Sequence, residues 1–80
     1  MREKYYKLIK DNNINDTLSL ITEIPFSTKT RILNRLIKKH SILEINMALN
    51  DFKKMYEINK PNLNFLEKTL EGLCRVNKGS

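Results

Sequence analysis

Hydrophobic residues recur at spacings of three and four along the chain, and no sustained stretch alternates hydrophobic and polar residues with a period of two. Spacings of three and four place side chains on one face of an α-helix, whereas alternation is typical of a half-buried strand. We therefore predict an all-α fold without a sheet. The expected architecture is a compact bundle of about five short helices, one domain over residues 1–80, with the last residues frayed.

The first two predicted helices are short. The first extends from about Arg2 to Lys10 and ends at the turn-forming run of residues 11–13, Asp-Asn-Asn. Asn15 or Asp16 is expected to cap the second helix, because either side chain can accept a hydrogen bond from a backbone N–H. The second helix ends at Pro25, and its buried stripe consists of Leu18, Ile21 and Ile24.

The third predicted helix is strongly amphipathic. Ser27 or Thr28 is expected to be its cap. At 100° per residue, one side carries Ile32, Leu33, Leu36, Ile37 and His40. The opposite side carries Thr28, Arg31, Asn34, Arg35, Lys38 and Lys39.

The fourth predicted helix, from about Ile42 to Ile58, is the longest, and residues 59–61 (Asn-Lys-Pro) end it because proline cannot continue a helix. Asn64, followed three residues later by Glu67, resembles a capping box and is expected to begin the fifth helix. The residues expected to face inward on that helix are Phe65, Leu66, Leu70 and Leu73.

The chain is strongly basic, and its positive charge is concentrated in one segment. The formal net charge is +6, and five of the 15 Lys and Arg residues lie between Glu23 and Glu44, where there is no carboxylate. A positive surface attracts polyanions and raises the rate of encounter with them. The third predicted helix is therefore a candidate surface for nucleic acid, the alternative being an ordinary solvated helix face.

Enzymatic chemistry is not expected. The chain has one histidine, His40, and one cysteine, Cys74, which we interpret as a helix-terminal residue and a small buried apolar residue. The only glycines are Gly72 and Gly79, so a glycine-rich phosphate loop is excluded. We expect no metal, no cofactor and no membrane contact, and a soluble cytoplasmic protein whose single cysteine forms no internal disulfide.

The candidate site follows from the basic helix. Hydroxyl groups and free backbone N–H groups at a helix N-terminus can hold a phosphate, and Arg and Lys side chains further along can contact the nucleic-acid backbone. The predicted nucleic-acid-binding residues are Ser27, Thr28, Lys29, Arg31, Asn34, Arg35, Lys38 and Lys39. A secondary set near the N-terminus consists of Lys4, Tyr6, Lys7 and Lys10.

Two resemblances suggest what the target is. A short hydrophobic helix, a tight turn at Pro25-Phe26 and a basic helix opening with Ser-x-x-Thr are similar to a helix-turn-helix unit, whose second helix enters the major groove of DNA. Residues 42–73 resemble the C-terminal helical module of the DnaD/DnaB-type primosome proteins and related phage replisome organisers. The corresponding positions are Ile45, Ala48, Leu49, Asn62, Asn64, Phe65, Leu66, Leu70 and Leu73, of which Leu73 corresponds by position and not by residue type.

The second resemblance departs at Thr69, where the family has an aliphatic residue, and at Leu73, where it has tryptophan. It implies DNA binding in replication initiation and contact with a replicative helicase or its loader. The alternative function is a phage- or plasmid-type protein-interaction module or inhibitor whose basic face docks on an acidic patch of a host protein. Either function is compatible with a homodimer.

Overall fold

The computed structural model of the chain describes residues 2–78. Within that range it contains four α-helices, two short 3₁₀ helices and no strand, so the all-α prediction is confirmed. In chain order, the elements are α1 (Arg2–Asn12), η1 (Asp16–Leu20), α2 (Phe26–Lys39), α3 (Ile42–Ile58), η2 (Leu63–Phe65) and α4 (Leu66–Asn77).

Helix α1 ends in a left-handed turn at Asn13, which has a φ of 59°. Asparagine tolerates this conformation better than most residues other than glycine. The Ile14 N–H donates to the Ile9 carbonyl at 2.9 Å, and the Asn13 N–H donates to the Lys10 carbonyl at 3.3 Å. These two bonds form a Schellman motif, which turns the chain and buries Ile14 in the core.

The second predicted helix is wrong in kind. η1 is a five-residue 3₁₀ helix that ends at Leu20, and no α-helix continues to Pro25. Asn15 precedes it but does not cap it, because the Asn15 Oδ1 instead accepts a hydrogen bond from the Thr17 hydroxyl at 2.7 Å. The inward positions of Leu18 and Ile21 are confirmed, since both are fully buried.

An asparagine on α3 holds this loop in place. The Asn46 Oδ1 accepts from the Asn15 backbone N–H at 2.6 Å, and the Asn46 Nδ2 donates to the Asn13 carbonyl at 3.1 Å. One amide side chain thus satisfies two backbone groups of the α1–η1 connection and ties that connection to α3.

Helix α3 has the predicted bounds, and its start carries a capping box that the sequence analysis did not identify. The Glu44 N–H donates to the Ser41 Oγ at 3.1 Å, while the Ser41 N–H donates to the Glu44 Oε1 at 2.9 Å. The signal was present as Ser-x-x-Glu at residues 41–44.

The capping box predicted at Asn64 and Glu67 is absent. The residue that acts as a cap here is Asn62, whose Oδ1 accepts from the Asn64 N–H at 3.0 Å and so begins η2. Phe65 occupies the N-cap position of α4, makes no side-chain capping bond, and is 56% exposed rather than buried.

The helices pack as two pairs, α1 on α2 and, more extensively, α3 on α4. Burying one large aliphatic side chain stabilises the folded state by about 1.5–3 kcal/mol relative to leaving it exposed. The fully buried residues include Tyr5, Leu18, Ile21, Leu33, Leu36, Ile45, Leu49, Phe52, Leu70 and Cys74. No helix between residues 2 and 78 is long and apolar enough to cross a membrane.

Candidate nucleic-acid interface

Helix α2 begins earlier than predicted, because its N-cap is Pro25 rather than Ser27 or Thr28. Ser27 and Thr28 lie within its first turn, and neither caps it. The backbone N–H groups of Thr28 and Lys29 donate to the Pro25 carbonyl at 3.1 and 3.2 Å. Proline fits this position because its fixed φ matches the extended N-cap conformation, which has a φ of −67° and a ψ of 150°.

A basic groove runs between α1 and α2, and we call it the α1–α2 groove. Its volume is about 450 Å³, and Lys4 of α1 forms part of its wall. The lining is Lys4, Ser27, Thr30, Arg31, Asn34, Arg35 and Lys38, which includes four cations and no carboxylate. The structure thus brings Lys4, from the secondary predicted set, together with most of the primary set.

A shallower extension of this surface continues along α1. Lys7 and Asp11 line it together with Lys4, Thr30 and Asn34, around a volume of about 270 Å³. Lys10 is exposed but lines neither space. Lys4 and Lys7 therefore extend the basic surface toward the end of α1, and Asp11 marks its limit.

Three members of the primary predicted set, Thr28, Lys29 and Lys39, do not line the α1–α2 groove. Thr28 is half-buried and lines a pocket of about 140 Å³ with Ile24 and Leu63. Lys29 is only 1% exposed, so it cannot contact a ligand on the surface, and its assignment to the interface is wrong.

Lys29 is instead held among aromatic rings. Its Nζ lies 4.4 Å from the centroid of the Phe26 ring and 5.9 Å from that of Tyr5. A cation above an aromatic face is attracted by the ring quadrupole. Burial lowers the pKa of Lys29, although the nearby charges of Asp16 and Glu23 act in the opposite direction. Lys29 is therefore part of the packing of α1 on α2.

Tyr5 and Tyr6 differ in exposure. Tyr5 is fully buried and donates its hydroxyl to the Asp16 Oδ1 at 2.8 Å. Burial, followed by that bond, raises the pKa of Tyr5 far above its ordinary value. Tyr6 is 42% exposed, but its ring packs 5.2 Å from Tyr5 and 5.6 Å from Phe26, centroid to centroid. Tyr6 therefore presents an edge of an aromatic cluster rather than a free ring.

Arg35 is paired with a carboxylate from α4. Its Nη1 donates to both oxygens of Glu67, at 2.8 and 3.1 Å. The two side chains are 55% and 36% exposed, and an exposed pair of this kind contributes about 0–1 kcal/mol. Arg35 is thus held but can exchange Glu67 for another anion.

Lys39 faces a different groove from Lys38. This second groove, the α2–α4 groove, has a volume of about 360 Å³. It is lined by Lys39, Asn64, Phe65, Glu67, Lys68, Glu71 and Arg75. The cations of α2 therefore do not form one continuous surface: Arg31, Arg35 and Lys38 lie on one side, and Lys39 on the other.

His40, Glu44 and Glu71 form a mostly buried cluster behind the α2–α4 groove. The His40 Nε2 lies 3.2 Å from the Glu71 Oε1, and the His40 Nδ1 lies 4.0 Å from the Glu44 Oε1. Burial opposes ionisation of Glu71, but the hydrogen bond with His40 and the charges of Lys39, His40 and Arg75 outweigh it. The pKa of Glu71 therefore lies below its ordinary value. The cluster joins the end of α2 to α3 and α4.

Cys74 is buried in the core, as predicted. Burial, together with the negative charges of Glu71 and Glu44, raises the pKa of its thiol to about 11. A thiol that remains protonated at neutral pH is a poor nucleophile. Among residues 2–78, no three His, Cys, Asp or Glu side chains are placed to hold a metal ion together.

Protein-family models, curated proteins and solved structures contain no match to this chain. The resemblance of residues 42–73 to the primosome module therefore stays a prediction, and so does the helix-turn-helix resemblance.

Proposed function

We propose that the chain is a non-catalytic DNA-binding module whose α1–α2 groove holds the phosphate backbone. The observation that supports this most directly is the composition of that groove, in which Lys4, Arg31, Arg35 and Lys38 converge without a carboxylate among the lining residues. Surfaces that serve solubility alone normally mix charges of both signs.

The groove supplies cations from two helices. Lys4 comes from α1, while Arg31, Arg35 and Lys38 occupy successive turns of α2. Arginine can donate two parallel hydrogen bonds to a phosphate, and lysine acts as a point charge. The Ser27 hydroxyl and the Asn34 amide lie in the same lining and add uncharged donors.

Most of the binding free energy should come from release of counterions. Each neutralised phosphate contributes about −0.7 to −0.9 to the slope of log affinity against log salt concentration. With about four phosphates contacted, the slope is about −3 to −4. Affinity for DNA should therefore fall steeply between about 50 mM and 200 mM salt.

The proposal keeps one feature of the helix-turn-helix interpretation, namely that α2 contacts DNA. The element before the turn is the 3₁₀ helix η1, whereas the motif has an α-helix there. Helix α2 remains the element that meets DNA, and the proposed contacts are with phosphates rather than with base edges.

The proposed role in replication depends on the resemblance of residues 42–73. The two helices of that segment, α3 and α4, pack on one another more extensively than any other pair, as a two-helix module requires. A replicative helicase or its loader is the corresponding proposed protein partner.

The test is a fluorescence anisotropy titration of labelled single-stranded and duplex oligonucleotides at about 50 mM and 200 mM salt. The test variant is Arg31→Glu/Lys38→Glu, which reverses two charges of the α1–α2 groove. The matched control is Lys53→Glu/Lys54→Glu, on an exposed part of α3. Each pair changes the charge by two times −2, so both proteins have a formal net charge of +2 instead of +6.

We expect the groove variant to lose DNA binding at both salt concentrations and the control to lose much less. Since the two proteins carry the same net charge, this difference would depend on the position of the substituted residues. Equal losses in both variants would show a general effect of charge and contradict a located site. Unchanged binding in the groove variant, or affinity that does not respond to salt, would also overturn the proposal.

A further inference from the structure

Phe65 is an exposed aromatic side chain in a place that neither capping nor core packing explains. It occupies the N-cap position of α4, where Ser, Thr, Asp or Asn normally accepts a backbone hydrogen bond, and it makes no such bond. It is also 56% exposed, so it contributes little to the core. Its ring is therefore free to contact a ligand.

The surroundings of Phe65 carry charges of both signs, with cations in excess. Lys39, Lys68 and Arg75 line the α2–α4 groove beside it, together with the carboxylates of Glu67 and Glu71. Both carboxylates are already paired: Glu67 with Arg35 at 2.8 Å, and Glu71 with His40 at 3.2 Å and Arg75 at 3.6 Å. Among residues 2–78, no carboxylate lies within 4.0 Å of the ammonium groups of Lys39 or Lys68.

We propose that the α2–α4 groove is a nucleobase-stacking subsite for single-stranded DNA, in which the Phe65 ring stacks on an unpaired base while Lys39 and Lys68 hold the flanking phosphates. Base stacking on an aromatic ring beside a cationic path is the usual mode of single-strand recognition. A base in a duplex cannot offer its face in this way, because its neighbours already cover it. The inference rests on the proposed function and specifies its substrate class.

The two grooves are placed so that one strand can occupy both. Lys38 lines the α1–α2 groove, and Lys39, the next residue, lines the α2–α4 groove. The Arg35–Glu67 pair lies between them, since Arg35 lines the first groove and Glu67 the second. A strand held by its phosphates in the first groove can therefore pass over this pair to Phe65.

Phe65 is a better candidate for an aromatic contact with a base than Tyr6 of the secondary predicted set. The ring of Tyr6 packs against Tyr5 and Phe26. Phe65 was expected in the core and is instead on the surface. The exposed aromatic ring and the cations of the α2–α4 groove come together only in the folded chain.

The test compares two oligomers of about 12 nucleotides, oligothymidylate and an abasic strand of the same length, which carries the same phosphates without bases. The variants are Phe65→Leu, which keeps an apolar side chain without a ring, and Phe65→Trp, which enlarges the ring. Because the chain contains no tryptophan, Phe65→Trp also provides a single fluorescent reporter at the subsite. Val76→Trp, at an exposed position on the same helix and outside the groove lining, is its control.

We expect Phe65→Leu to bind oligothymidylate about tenfold more weakly, the effect of losing one stacked base, and to bind the abasic strand as the parent does. Phe65→Trp should bind oligothymidylate at least as tightly as the parent. Its fluorescence should be quenched by oligothymidylate and not by the abasic strand, while the fluorescence of Val76→Trp should respond to neither.

Equal affinity of Phe65→Leu and the parent for oligothymidylate would overturn the inference, and so would an equal loss for both oligomers. An unquenched Phe65→Trp would do the same even if Phe65→Leu proved poorly folded. The Arg31→Glu/Lys38→Glu variant separates this failure from that of the proposed function. If that variant loses binding while Phe65→Leu does not, only the stacking subsite is wrong; if that variant binds normally, the DNA-binding proposal itself is wrong.

Discussion

The Arg35 guanidinium donates from one nitrogen to both carboxylate oxygens of Glu67, at 2.8 and 3.1 Å, across 32 positions of sequence. The pair joins α2 to α4 and lies between the two basic grooves. Glu67 therefore has two opposite effects on the proposed function. It holds Arg35 in place, and it competes with phosphate for the same guanidinium group.

Replacing Glu67 with glutamine should tighten DNA binding. The substitution frees Arg35 and removes a negative charge beside the path of the strand. Because an exposed ion pair contributes about 0–1 kcal/mol, we expect affinity at low salt to rise about two- to fivefold and the free energy of unfolding to fall by less than about 1 kcal/mol. Anisotropy titration and urea unfolding measure the two quantities.

Glu57→Gln is the matched control for this substitution, because Glu57 is an exposed carboxylate on α3 and its loss changes the net charge by the same amount. Its effect on affinity should be smaller than that of Glu67→Gln. Weaker binding by Glu67→Gln would mean that Glu67 serves mainly to orient Arg35 rather than to compete with phosphate.

Lys29 and Arg31 provide a direct test of which cations face the ligand. Lys29→Met keeps the length of the buried side chain. It removes the free-energy cost of burying a charge, and it also removes a cation–π attraction of about 0.5–2 kcal/mol, so the two effects on stability oppose one another. We expect its free energy of unfolding to stay within about 1 kcal/mol of the parent value and its DNA affinity to stay within about twofold. Arg31→Met removes the same charge from the groove and should lower the magnitude of the salt slope by about one.

Salt-dependent anisotropy of the two variants decides this point, with circular dichroism to confirm the fold. A loss of affinity in Lys29→Met as large as that in Arg31→Met would show that net charge, and not position in the α1–α2 groove, determines binding.

Helical periodicity predicted the elements whose boundaries carry strong local signals. Helix α3 has its predicted bounds because Ser41 opens it and the residues before Pro61 close it. The position of Lys29 was also readable, since it precedes Leu33 by four residues and thus lies on the apolar side of α2. The number of basic residues in the segment does not determine the face of the helix on which each one lies.

Other features depended on contacts that periodicity does not describe. The apolar spacing of Leu18 and Ile21 fitted a helix, but Asn46 of α3 fixes the preceding connection by hydrogen bonds across more than 30 positions, and only the 3₁₀ helix η1 follows. Similarly, nothing local in the sequence distinguishes an exposed Phe65 from a buried one. Pairing of Arg35 with Glu67 likewise required the packing of α4 beside α2 to be known.

The capping box of α3 should be a measurable source of stability. Ser41→Ala removes the acceptor of the Glu44 N–H, so we expect the free energy of unfolding to fall by about 1 kcal/mol. The hydrogen bond from the Ser41 N–H is the main reason that the pKa of Glu44 lies below its ordinary value of 4.5. Ionised Glu44 therefore contributes stability above pH 4.5, and this contribution is lost as the pH falls through the pKa of the folded state.

Urea unfolding of the parent and of Ser41→Ala checks the first expectation, and an NMR titration of the Glu44 carboxyl checks the second. Ser19→Ala is a suitable control, because the Ser19 hydroxyl also makes a local hydrogen bond, which it donates to the Asp16 carbonyl, but does not cap an α-helix. A pKa of Glu44 at its ordinary value would contradict the reciprocal bond.

Tyr5 should make the fold sensitive to alkali. Its pKa in the folded chain is raised above the ordinary value of 10.0, first by burial and then by the hydrogen bond to Asp16. Above pH 10.0 the unfolded chain loses the phenol proton while the folded chain keeps it. Stability from this residue is therefore complete below that pH and falls as the pH rises, by about 1.4 kcal/mol per pH unit.

Lys29 titrates in the same region with the opposite sign, because its lowered pKa makes the unfolded chain bind more protons. The comparison is therefore made in the Lys29→Met background, between Tyr5 and Tyr5→Phe, by urea unfolding from about pH 9 to pH 11. Tyr5→Phe should be less stable at neutral pH by about 1–2 kcal/mol, since the bond to Asp16 is lost. The difference between the two proteins should shrink above pH 10.0, because only the tyrosine protein has this phenol to titrate. A difference that stays constant with pH would show that the Tyr5 phenol ionises as readily in the folded chain as in the unfolded one.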